Sequence, residues 1–180
     1  IAKYLPGFSA QGKNNITVRH AMLHNSGLKA DPVPGYSSAS FGCPETGKPS
    51  PKHSFSCRNR CFDALMDDAP VRAPGQYEYS DENFMALMNV VGSLVRRHSL
   101  VAQSALRADC AAVGGSGVHQ CYYEAYVRKL LARLGASATA GFLPTRELWP
   151  RIAPTENTTS GTYRKRCLQG EVHDENTFAM

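Results

Sequence analysis

From Ser80 to Arg97 apolar residues recur at offsets of three and four, with Phe84, Leu87, Met88, Val91, Leu94 and Val95 on one side of a helical wheel. The spacing predicts a long amphipathic helix. Ser80 stands at its N-cap position, and Asp81 and Glu82 bring negative charge to the positive end of the helix dipole. The same period returns from Tyr122 to Leu134, where Tyr123, Tyr126, Val127, Leu130, Leu131 and Leu134 share a side and Gly135 offers a stop. A shorter helix is predicted within Ile16 to Leu28, with Thr17 as cap, Val18, Ala21 and Met22 at helical spacing, and Gly27 as left-handed terminator. Residues from about Arg58 to Asp67 form another, ended by Pro70, Pro74 and Gly75.

The connections are long. Lys29 to Lys52 is rich in Pro, Gly and Ser and reads as an exposed irregular loop. Ser99 to Gln120 is an Ala/Gly/Ser-rich run ending in Gly114-Gly115-Ser116-Gly117, and reads as a flexible insertion. No set of alternating strands and no internal repeat is evident, so the expected class is mainly α with long loops. A free-standing helical bundle has shorter connections than these. The loops therefore call for a partner surface, such as a sheet supplied by sequence outside this chain.

Composition narrows the function classes. The chain has 180 residues, 42% of them hydrophobic, with Trp149 as the single tryptophan, which fits one globular domain or part of one. A net charge of +5 is spread along the chain, apart from short clusters at Arg96-Arg97 and Arg164-Lys165-Arg166, and this argues against nucleic acid as a partner. No stretch approaches the ~20 apolar residues of a membrane span. The N-terminal residues Ile1 to Pro6 resemble neither a signal nor a transit peptide. The chain does not start with Met, so an upstream part is expected.

The six cysteines, Cys43, Cys57, Cys61, Cys110, Cys121 and Cys167, contain no C-x-x-C pair, and cytosolic free thiols are the default expectation. Cys57 and Cys61 with nearby His53 can be drawn as a zinc site, but a helix-borne pair of buried thiols explains them more simply. His20 and His24 lack the glutamate of H-E-x-x-H and read as capping or buried histidines. His173-Asp174-Glu175 offers another set of possible ligands that reads as a structural loop. The expectation is no metal and no cofactor.

The run Ile16 to Leu28, I-T-V-R-H-A-M-L-H-N-S-G-L, closely resembles the I-T-x-R-H-L-L-T-H-T-S-G-L segment of the β-lactamase-related serine hydrolases. These include class C β-lactamases, D-alanyl-D-alanine carboxypeptidases, penicillin-binding proteins and esterases. Lys3-Tyr4-Leu5-Pro6-Gly7-Phe8 resembles the lead-in of the same family, and Pro74 to Asp81 resembles its P-G-x-x-x-x-Y-S-N/D motif, placed directly before a helix. Leu134-Gly135 with Thr139 and Phe142, and then Ile152 to Glu156 and Gly170 to Asn176, are similar to later stretches of one branch. The resemblance covers residues 1–180 apart from insertions at about 29–60 and 99–121.

The resemblance implies the helical domain of a β-lactamase/transpeptidase-like α/β fold, with most of the central sheet lying outside this chain. It also implies acyl transfer: the serine of an S-x-x-K motif attacks a lactam, peptide or ester carbonyl through an acyl-enzyme, and the substrate is a small acyl or peptide-like molecule. By position Tyr79 matches the proton-transfer tyrosine and Asp81 the residue that orients lysine and substrate. A free tyrosine titrates near ~10, so Tyr79 needs a nearby cation to act as a base, and the sequence identifies no partner lysine for it.

The nucleophile serine and its lysine are not identified either. The one formal match, Ser26-Gly27-Leu28-Lys29, belongs to the H-x-S-G-L element, and Lys29 lies beyond the Gly27 stop rather than one turn along the same helix. Nothing matches K-T-G or H-x-G. Acting alone, the chain is expected to be inactive, either as a segment of a complete hydrolase or as a non-catalytic family member that binds a ligand or protein.

Overall fold

A computed structural model describes residues 1–35, 55–111, 117–142, 144–157, 159 and 166–172. Among them the chain is mostly helical. In order come a 3-10 segment over Pro6–Asn15, α1 (Val18–Met22), α2 (Phe55–Asp67), α3 (Asp81–Arg97), a 3-10 turn at Gln103–Ala105, α4 (Ala108–Ala111), α5 (Val118–Arg133) and a 3-10 segment at Arg146–Arg151. The described strands are β1 (Glu156–Asn157) and β2 (Cys167–Leu168), which pair antiparallel with Glu156 opposite Leu168.

The long helix predicted from periodicity is α3, and it is the centre of the molecule. Its first half closes a core with Leu5, Phe8, Ile16, Ala21, Leu28 and Leu65 through Met85, Ala86 and Val90. Its last turns enter a second core, in which Val95 meets Val101, Leu106, Tyr122 and Ala125. Because α3 lies between two cores, its buried face is rotated from the predicted one. Met85, Ala86, Val90 and Val95 are buried together with Glu82, Asn83, Asn89 and Gly92, while Phe84 is exposed. Hydropathy alone does not rank a polar residue as core, yet Asn89 is satisfied there by donating to the Met85 carbonyl at 2.8 Å.

The face of α5 departs further. Its buried residues are Cys121, Tyr122, Glu124 and Ala125, whereas Leu130 and Leu134 of the predicted face are exposed. Close approach to α3 accounts for the choice. A Cβ built on Gly92 would stand 1.9 Å from the His119 carbonyl oxygen and 2.5 Å from its carbon, so the α5 backbone itself occupies that space. Substituting Gly92 with Ala gains about 1 kcal/mol of helix propensity but forces the helices apart, an overpacking cost of about 3 kcal/mol. Gly92→Ala should therefore lower the midpoint of urea unfolding, and an unchanged or higher midpoint would contradict this packing.

Three smaller expectations change. Helix α1 ends at Met22, and His24 at φ 50° takes the left-handed position after it, so Gly27 at φ 79° serves the following turn instead of stopping the helix. The run read as a flexible insertion folds over its described part, with Val101, Leu106 and Cys110 buried in the second core. Cys110 and Cys121 are joined in a disulfide, which overturns the expectation of free thiols for that pair. Gly135 ends α5 as predicted, at φ 68°.

Candidate functional site

The Tyr79 and Asp81 positions lie at the entrance to α3, which is built by two loops that grip each other. Loop 24–30 follows α1, and loop 71–81 leads into α3. Val71, Gly75 and Glu78 donate their backbone N–H groups to the carbonyls of Gly27, Asn25 and His24 at 2.8, 2.8 and 2.7 Å. The Asp81 N–H reaches the Ala30 carbonyl at 3.1 Å. Ser80 holds the N-cap position predicted for it, but its buried hydroxyl donates to the Lys29 carbonyl instead of capping the helix. Gly27 is obligatory in this seam, because a Cβ there would lie 2.1 Å from the Arg72 carbonyl oxygen. Arg72 and Glu78 form an ion pair at 2.5 Å on the same loop.

His24 stands in the middle of an aromatic group. Its ring stacks on Tyr79 with centroids 4.5 Å apart and planes 22° from parallel, lies 5.1 Å from the Phe84 ring, and meets Tyr77 edge-on at 6.3 Å. Its Nδ1 accepts the Ser80 backbone N–H at 3.1 Å and faces Asn83 Nδ2 at 3.3 Å. An Nδ1 that accepts a backbone N–H carries no proton, so the neutral ring carries its proton on Nε2. Tyr79 itself is 61% exposed, and with Tyr77 and Phe84 it presents an aromatic surface. Asp81, the first residue of α3, is half-buried.

The remaining candidates separate clearly. Ser26 is buried, and its Oγ accepts the Leu28 N–H at 3.1 Å, closing a local turn. Lys29, three residues on, pairs with Asp68 at 3.1 Å. Both residues lie outside α1, so the helical geometry of an S-x-x-K pair is absent at this position. His20 completes a capping box with Thr17, its ring accepting the Thr17 N–H at 3.3 Å. Burial pushes the Cys61 thiol up to about 12, which disfavours the nucleophilic thiolate. Among the described residues no three or more His, Cys, Asp or Glu side chains are grouped so as to hold a metal ion. His53, the Cys57 side chain and His173-Asp174-Glu175 lie outside the described residues.

Beneath the α3 entrance is a charged cluster that hydropathy did not indicate. Lys13 is fully buried, and its Nζ donates to the carbonyls of Leu65, Met66 and Asp68 at 2.8, 2.7 and 2.6 Å. It thereby caps the C-terminal end of α2 with a cation. Burial lowers its pKa, and Lys29 adds to that effect against the opposing pull of Glu82, Asp68 and Asp67. Glu82, one residue past Asp81, is buried, and neither of its carboxyl oxygens meets a donor. Burial first, and the Asp68 carboxylate second, raise its pKa to about 8, which favours the protonated form of the buried carboxyl.

The described chain is thus a helical body that presents a tyrosine on the seam of two interlocked loops, directly before its central helix. Residues 1–104 match the family model described as Beta-lactamase, more than half of the 180-residue chain, and the chain belongs to that family. The match contains both the Ile16–Leu28 and the Pro74–Asp81 motifs, whereas the later resemblances lie beyond it. No curated protein and no solved structure matches the chain. Family membership supports a hydrolase-type function.

Proposed function

We propose that this chain supplies the helical domain and one wall of the cleft of a serine hydrolase that works through an acyl-enzyme on a lactam, peptide or ester. The observation that carries the reading is the presentation of Tyr79 and Asp81 at the entrance of α3, on a seam made from the two family motifs. In this reading Tyr79 relays the nucleophile's proton and Asp81 orients a lysine and the substrate. The serine and lysine of S-x-x-K, and the K-T-G or H-x-G strand, come from sequence outside residues 1–180. Ser26 is the serine of the chain's single S-x-x-K match, and its engagement in the Leu28 turn favours a second reading, a non-catalytic family member that binds a ligand or protein.

Covalent labelling tests both readings. The 180-residue chain incubated with a fluorescent penicillin or a fluorophosphonate should take no label. A gene product extended to include an S-x-x-K segment should be labelled, and Tyr79→Phe should slow that labelling by about 100-fold or more. Labelling of the 180-residue chain that Ser26→Ala abolishes would overturn the assignment, and an extended product that stays unlabelled would establish the non-catalytic reading.

A further inference from the structure

We infer that His24 is the positioning residue for Tyr79: it fixes the plane of the phenol by stacking and ties that plane to the start of α3 through the Ser80 amide. Three observations converge on it. The rings stack with centroids 4.5 Å apart and planes 22° from parallel, while Tyr79 is 61% exposed, so His24 supplies a wall against which the phenol rests. Nδ1 faces two donors, the Ser80 N–H and the Asn83 amide, and Asn83 is itself fully buried within α3. The imidazole is therefore anchored to the helix that follows Tyr79, while its own backbone belongs to the loop after α1.

The third observation is conformational. His24 adopts φ 50°, in the left-handed region, and still donates its N–H to the Ala21 carbonyl at 3.2 Å. Glycine would hold that turn without the roughly 1 kcal/mol or more that a side chain costs there. The imidazole offsets this cost by joining the two loops from inside. Its tautomer sets its role. With Nδ1 accepting, the ring cannot take a proton at Nδ1 without losing the Ser80 contact, so His24 orients Tyr79 and does not exchange protons with it through that nitrogen.

The catalytic meaning of this arrangement rests on the reading of Tyr79 as the proton-relay group; the positioning itself can be measured on the 180-residue chain. Two substitutions divide the functions of the ring. His24→Asn tolerates the left-handed backbone and offers an oxygen to the Ser80 N–H but removes the stacking partner. His24→Phe keeps a stacking face and removes the acceptor.

In NMR spectra of the wild-type chain labelled at Tyr and His, the Nε2-protonated tautomer and cross-peaks between the His24 and Tyr79 rings are expected. His24→Asn should remove the His24 contribution to the ring-current shift of Tyr79 and leave the Ser80 amide shift in place. His24→Phe should do the reverse. A wild-type His24 protonated on Nδ1, absent cross-peaks, or Tyr79 resonances unmoved in His24→Asn would each overturn the inference. The wild-type measurements decide the matter even where a variant fails to fold. The labelling experiment with Tyr79→Phe tests the proton-relay reading separately, so the two failures are distinguishable.

Discussion

Replacing Lys13 with methionine should destabilise the chain by about 3–5 kcal/mol, the range for breaking a buried, hydrogen-bonded charge network by removing one member. Methionine fills a similar volume and keeps the apolar contact of the stem, so the loss isolates the ammonium. That group is the donor to three carbonyls, two of which close the last turn of α2. Without it these carbonyls stay buried beside Asp68 and Glu82, with Lys29 the cation that remains paired to Asp68 among the described residues. Against this loss stands the recovered desolvation of the ammonium, which is what lowers its pKa. The three carbonyls replace part of the water that the ammonium gave up, so losing their common donor is expected to outweigh the recovered desolvation. Urea unfolding followed by circular dichroism measures the difference. A Lys13→Met variant within 1 kcal/mol of wild type, on the scale of an exposed ion pair, would show that the cap contributes little.

Why Lys13 escapes a reading of the sequence is plain from its partners. It lies in an irregular segment before Thr17, while the carbonyls it binds are 52 to 55 residues away. No local pattern marks a lysine that caps another helix from outside. The elements that were legible are those specified locally. Thr17 and His20 form their capping box within four residues, Gly135 stops α5, and the 3.6-residue period of Ser80 to Arg97 yields α3 within one residue of its ends.

What period alone could not supply was which face is buried. On α3 and α5 that choice is made by the small residues Gly92, Cys121 and Ala125, which permit close approach, and by polar residues that find partners after packing. The candidate site divides in the same way. The motif resemblance nominates Tyr79 and Asp81 from the sequence, whereas the part proposed for His24 follows from a left-handed backbone angle and from contacts 55 to 60 positions along the chain.

Glu82 gives the clearest solution test of the buried cluster, since its proton makes stability depend on pH. In the folded chain its pKa is raised from the ordinary 4.5 to about 8, by burial and by the Asp68 carboxylate, against the opposing charges of Lys29 and Lys13. A carboxyl group with a raised folded pKa contributes stability that is fully present below 4.5 and lost as pH rises through about 8, because the unfolded chain releases the proton first. At about 1.4 kcal/mol per pH unit, the loss across this window is on the order of 5 kcal/mol.

Glu82→Gln removes that titration and keeps the size and polarity of the side chain. The variant should match wild type within about 1 kcal/mol at pH 5 and exceed it by several kcal/mol at pH 9, as read from urea unfolding at both values. Burial lowers the Lys13 pKa, so its contribution to the pH dependence has the opposite sign, and because Lys13 and Glu82 interact, the difference between wild type and Glu82→Gln reports the carboxyl together with its coupling to Lys13. Equal stability of the two proteins at both pH values would mean that Glu82 is ionised in the folded chain. Because Glu82 follows Asp81 in the first turn of α3, the same deprotonation puts buried charge at that end of the helix, and loosening of α3 with rising pH should begin there.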